Sequence, residues 1–128
     1  GDVIKKYRDA GGVIFVVSHS YTENILRDWR HNFGILPDGV YAWDTGVGKR
    51  KPDPYPLLDI MKKNSFTADE LIMVDDLKPG LVMSRAAGVR FAAAGWARQS
   101  NSIEAMMRRE SDYYFESPND LEELLFAK

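Results

Sequence analysis

The chain is 128 residues long, 45% apolar and 28% charged, the composition of a globular domain and not of a disordered tail. It has no cysteine, which excludes a disulfide framework, a thiolate metal site and a cysteine nucleophile, and leads us to expect a cytoplasmic setting. Seventeen basic against nineteen acidic side chains give a net charge of −2, no general attraction for nucleic acid, and no apolar run nears the roughly 18 residues of a membrane span.

In chain order, Val3, Ile4 and Tyr7 share one face of a helix predicted over Asp2 to Ala10, which Gly11-Gly12 ends. Residues Gly1 to Arg8 hold no apolar stretch behind a basic leader, so no secretory signal is read there. Val13 to Val17 is a short, continuously apolar, mostly β-branched run of the type buried on both faces of a parallel sheet, and it stops at Ser18-His19-Ser20. Thr22 is placed to cap a helix to Phe33, with Ile25, Leu26, Trp29 and Phe33 on one face and Gly34 as its stop.

Val40 to Trp43 is predicted as a strand, Asp44 to Pro54 as a glycine- and proline-punctuated loop, and Tyr55 to Lys63 as a helix. The alternation repeats: strand Leu71 to Val74, helix Pro79 to Ala87 closed by Gly88, strand Arg90 to Ala94. Asn101 or Ser102 then caps a helix to Arg109, Tyr113 to Phe115 forms a last strand, and Ser117-Pro118 opens a helix through Phe126. Strands alternating with helices predict a three-layer α/β/α sandwich around a mainly parallel, Rossmann-like sheet, with residues 1–128 as one domain.

Open parallel sheets bind ligands beyond the carboxyl ends of their strands. Three such positions carry polar chemistry here: Ser18 with His19 and Ser20 after the first strand, Lys51 in the loop after the second, and Asp75-Asp76 after the third. A serine hydroxyl with backbone N–H groups at a helix start can hold phosphate oxygens, and lysine neutralises phosphoryl charge as a point cation. Adjacent carboxylates offer hard oxygen ligands to Mg²⁺, and their mutual repulsion is relieved by a cation.

Plainer readings stand beside these. Ser18 can be a turn residue, Lys49-Arg50-Lys51 a solvated basic run, and Asp75-Asp76 an N-cap ahead of Pro79. His19 reads as a loop residue, His31 as structural, and Met106-Met107 with Tyr113, Tyr114 and Phe115 as core or groove filler.

The series Val13-Ile-Phe-Val-Val-Ser-His-Ser20, then Gly48-Lys-Arg-Lys-Pro-Asp-Pro-Tyr-Pro56, then Leu71-Ile-Met-Val-Asp-Asp-Leu-Lys-Pro-Gly80 with Ser84-Arg-Ala-Ala-Gly-Val89 resembles the haloacid dehalogenase superfamily in its second, third and fourth motifs. The resemblance implies that Ser18, His19 and Lys51 bind phosphate, with Ser18 and Lys51 acting in catalysis, and that Asp75 and Asp76 hold Mg²⁺, Asp76 foremost. A further acidic residue common in relatives falls at Gly80 here. It also implies a small phosphorylated substrate.

The first motif, whose aspartate is the nucleophile of that family, has no counterpart. Asp2 lies in a helical pattern, and Asp44 follows the serine motif. We therefore expect the C-terminal part of a core domain, lacking its central strand and cap, with two inner sheet edges unpaired and inactive unless an N-terminal segment or a second chain completes the sheet. The functional expectation is an Mg²⁺-dependent phosphomonoesterase; the alternative is a non-catalytic phosphate-binding or regulatory module on the same fold. A phosphorylation-receiver reading fails because no later apolar strand ends in aspartate.

Overall fold

A computed structural model describes residues 2–97 and 100–127. Among the described residues six α-helices and five strands alternate: α1 Asp2–Asp9, β1 Phe15–Val17, α2 Thr22–Phe33, β2 Gly39–Tyr41, α3 Tyr55–Asn64, β3 Ile72–Asp75, α4 Lys78–Ala87, β4 Arg90–Ala94, α5 Asn101–Glu110, β5 Tyr113–Phe115 and α6 Pro118–Leu125. Short 3-10 turns cover Trp43–Thr45 and Ala68–Glu70.

Every strand pair is parallel, as the buried, β-branched runs require. The strands form two sheets, β1-β2 and β3-β4-β5, so β1 and β3 each keep one edge without a ladder partner. Alternation along β4 assigns the faces. Phe91 and Ala93 point into a core with Leu57 and Ile60 of α3, Leu81 and Met83 of α4 and Met107 of α5. Ala92 points the other way, packing with Val3 of α1, Phe115 of β5 and Leu121 of α6. Phe15, Val17 and Tyr41 of the smaller sheet pack on the α3–α5 core as well, so both sheets share one helical layer. The three-layer α/β/α arrangement is thus present, its sheet divided.

Between the divided sheets lies an apolar cavity of about 580 Å³, lined by Phe15, Val16 and Val17 on one side and by Ile72, Met73 and Val74 on the other. The unpartnered backbone edges of β1 and β3 border this cavity. Among the described residues no helix is long and apolar enough to cross a membrane.

Several predicted boundaries shift for local reasons. The first strand begins at Phe15, not Val13, because the Ile14 N–H is held by the Asp38 side chain at 2.7 Å and not by a ladder partner. The second ends at Tyr41. Beyond it, Thr45 accepts the Ala42 N–H at 2.8 Å and curls Trp43–Thr45 into a 3-10 turn. Thr22 is the first residue of α2 and not its cap; Asp44 caps that helix from a distance, accepting both the Thr22 N–H and its hydroxyl at 2.9 Å. The cap of α5 is Ser100, whose hydroxyl accepts the Ile103 N–H, in place of Asn101 or Ser102. The stops fall where expected: Gly34 and Gly88 take φ of 69° and 72°, the left-handed region open to glycine at little cost.

Candidate functional site

At the end of β1, the Ser18 N–H extends the pairing with β2 by one residue, donating to the Tyr41 carbonyl at 2.9 Å. The Ser18 hydroxyl accepts the Ser20 N–H at 3.1 Å, a local turn that leaves its hydrogen available to donate outward. The turn and function readings of Ser18 are therefore compatible. The Ser20 carbonyl accepts the Trp43 N–H at 2.9 Å, which fastens this loop to the one after β2.

From that second loop comes Lys51. Its ammonium donates to Asp75 Oδ2 at 2.9 Å, with 13% of the lysine and 12% of the aspartate side chain exposed. The contact reaches from the β1-β2 half to the last residue of β3, across the divided sheet. His19 Nε2 lies 2.9 Å from the Lys51 carbonyl, in hydrogen-bond contact that joins the serine loop to the lysine loop. Ser18, His19, Lys51 and Asp75 are thus linked at the carboxyl ends of the strands, where sheet topology puts ligands. At the end of β2, the Tyr41 hydroxyl donates to Asp59 at 2.5 Å and ties that strand to α3. Burial, then this carboxylate, pushes the Tyr41 phenol well above its ordinary range, so it stays a donor.

Asp75 Oδ1 accepts the Asp76 N–H at 2.7 Å, and neither aspartate caps α4, whose N-cap is Leu77. The N-cap reading of Asp75-Asp76 is set aside on that ground. Burial and the adjacent Asp75 carboxylate push the Asp76 carboxyl above the usual carboxylate range, while Lys51 opposes the shift. Gly80 is buried directly beneath Asp75, where a Cβ would run into the carboxylate. An acidic side chain at position 80, as the resemblance led us to look for, could therefore not coexist with this position of Asp75.

Among the described residues no three His, Cys, Asp or Glu side chains gather as a metal site. Two carboxylates, however, are a usual protein share of an Mg²⁺ shell, with water and substrate supplying the rest, and a desolvated like-charge pair is what such a cation relieves. Asp75 and Asp76 fit that donor set. Both Asp75 oxygens already accept bonds, one from the Lys51 ammonium and one from the Asp76 N–H.

Three neighbours were not singled out from sequence. Asp44 fixes the start of α2 beside the serine loop, and its two bonds from Thr22 hold its carboxyl below the usual range. Arg50 lies with its guanidinium carbon 3.4 Å from the Trp43 ring centroid and donates Nε–H to the Trp43 carbonyl at 2.9 Å. Trp43 in turn meets the His19 ring edge-on at 5.8 Å. Only the basic run and one aromatic seven residues earlier hinted at that stack.

A protein from Lactobacillus delbrueckii subsp. bulgaricus, assigned by name to the phosphoglycolate phosphatases, superposes with a TM-score of 0.81 at 20% identity over 99% of this chain and 52% of its own. CbbY from Rhodobacter sphaeroides, solved in complex with phosphate, gives 0.74 at 20% identity over 94% of this chain and 53% of its own. The core domain of a Streptococcus pneumoniae protein, similarly named, gives 0.73 at 13% identity over 99% of this chain and 85% of that domain. The chain thus spans about half the length of the first two and most of an isolated core domain. Among curated proteins none matches the sequence. The family model described as haloacid dehalogenase-like hydrolase matches residues 2–94, and with the Ser18, Lys51 and Asp75-Asp76 motifs in order within that span, the chain belongs to the haloacid dehalogenase-like hydrolases.

Proposed function

We propose that this chain is the phosphate- and metal-holding part of an Mg²⁺-dependent phosphomonoesterase that works through an aspartyl-phosphate, its nucleophile lying outside these residues. The observation that carries the reading is the Lys51–Asp75 contact spanning the divided sheet, with Ser18 and His19 on one side and the apolar cavity beneath. In this reading the Ser18 hydroxyl donates to a phosphoryl oxygen and the Lys51 ammonium neutralises the charge that develops on it. Asp75 aims the ammonium. Mg²⁺ held by Asp76 and Asp75 supplies further charge neutralisation when bound.

The missing piece of the sheet is proposed to be an apolar strand, from an N-terminal segment or a second chain, that enters between β1 and β3 and satisfies both open edges. The Streptococcus pneumoniae core domain supports this size: 15% of it lies outside the match, ample for one strand and its flanking loops. Such a strand would run parallel to its neighbours and deliver its carboxyl end, with the nucleophile, beside Ser18 and Lys51.

The test is hydrolysis of a generic aryl phosphate with Mg²⁺ by this chain alone and after addition of a segment carrying an Asp-x-Asp motif behind an apolar run. Activity is expected only with the segment. Turnover by the bare chain would refute the assignment of the nucleophile, and no turnover with a segment that demonstrably binds would favour the phosphate-binding module instead.

A further inference from the structure

We propose that Arg50, braced on Trp43, reads a second anionic group, a carboxylate or a second phosphate, on the phosphorylated substrate. The inference rests on the phosphate-site reading above and adds to it the chemical class of the substrate. Arginine carries five N–H donors in a planar fork suited to binding a carboxylate or phosphate through two parallel bonds. Here Nε–H is spent on the Trp43 carbonyl at 2.9 Å, and the guanidinium plane is covered by the indole at 3.4 Å. Among the described residues Arg50 forms no ion pair with a carboxylate, while the Trp43 carbonyl and ring fix its position. A cation held in place before binding loses little entropy on meeting an anion.

Its neighbours give the fork a purpose. Arg50 directly precedes Lys51, and two ring contacts, 3.4 Å to Trp43 and 5.8 Å from Trp43 to His19, lead from the guanidinium to the serine loop. His19 closes the circuit on the Lys51 carbonyl at 2.9 Å. The Lys51 charge is already shared with Asp75, whereas that of Arg50 is not. In this proposal a short substrate whose phosphoryl group rests on Ser18 and Lys51 reaches Arg50 along the Trp43–His19 contacts that join the two loops. Trp43, 39% exposed, forms the wall along which the substrate lies.

The experiment is calorimetric titration of the full-length protein with three non-hydrolysable ligands: methylphosphonate, phosphonoacetate and methylenediphosphonate. Phosphonoacetate or the diphosphonate is expected to bind about tenfold to a hundredfold tighter than methylphosphonate, the gain of a charged, bidentate pair. Which of the two gains more identifies carboxylate or phosphate as the second anion. In R50Q that advantage should fall about tenfold, and R50K should keep part of it as a point charge without the fork. Because the readout is a ratio between ligands, a general weakening of the fold does not imitate it. An equal affinity for all three, or an advantage that survives R50Q, overturns the role of Arg50 alone. Failure to bind any of them overturns the phosphate-site reading and this inference with it.

Discussion

Replacing Lys51 by Met tests the contact that bridges the divided sheet. The ammonium and the Asp75 carboxylate are 2.9 Å apart with only 13% and 12% of their side chains exposed, well outside the regime where surface pairs are worth nearly nothing. Removing one member of a fully buried pair costs about 3–5 kcal/mol, since a charge remains without its partner. Asp75 would keep one donor, the Asp76 N–H at 2.7 Å, so we expect a loss of about 3 kcal/mol for K51M. Asp75→Asn alone strands the ammonium instead, at a similar cost, whereas the double variant strands neither. Chemical denaturation of the four proteins should therefore return a coupling energy of about 2 kcal/mol. A coupling below about 0.5 kcal/mol would mean that the pair behaves as an exposed one, and the orienting role given to Asp75 would be wrong.

Gly80→Ala is expected to cost about 1–3 kcal/mol, because the new Cβ displaces the Asp75 carboxylate; urea denaturation checks it, and little further loss is expected from adding K51M. Asp76→Asn should stabilise the protein near neutral pH without divalent ions, since it removes a desolvated carboxylate set against Asp75, and should also abolish any thermal stabilisation by millimolar Mg²⁺. Equal Mg²⁺ shifts in both proteins would remove Asp76 from the metal shell. Asp112 accepts from Arg85 at 2.7 Å and from the Phe91 N–H at 2.8 Å, and these bonds hold its carboxyl below the usual range. Its contribution is therefore complete above the unfolded carboxylate range and declines as pH falls through the lowered native value, where the unfolded chain binds the proton first. Denaturation midpoints measured across acidic pH should show a shallower decline in D112N than in the wild type.

Periodicity made most of the fold legible. The apolar faces of α2 and α3 and the buried runs at β3 and β4 appear in the sequence because burial on a helix face or inside a sheet must repeat at 3.6 or run continuously. Tertiary bonds were not legible. Asp44 caps α2 from a different loop, Asp38 intercepts Ile14 across 24 residues, and Gly80 lies under Asp75 only once α4 folds back on β3. None of these has a local pattern. The order of Ser18, Lys51 and Asp75 could be read along the chain, but the 2.9 Å contact between the last two depends on how far the halves of the sheet stand apart.

That separation has an energetic sense. Two inner strand edges without ladder partners leave backbone donors and acceptors beside an apolar cavity, a costly arrangement if both water and protein partners are excluded. The cost is met in part by what spans the gap: the Lys51–Asp75 pair at its mouth and the α3–α5 core, which packs on Phe15 and Val17 as well as on Met73 and Phe91. A strand entering the cavity would satisfy both edges at once and bury Val16, Ile72 and Val74 more deeply. Its free energy of binding would thus be spent on completing the same surface that carries Ser18, Lys51 and Asp75. Such coupling makes the order of events testable: strand binding should raise the stability measured for wild type, and K51M should weaken that binding, because it loosens the bridge against which the strand closes.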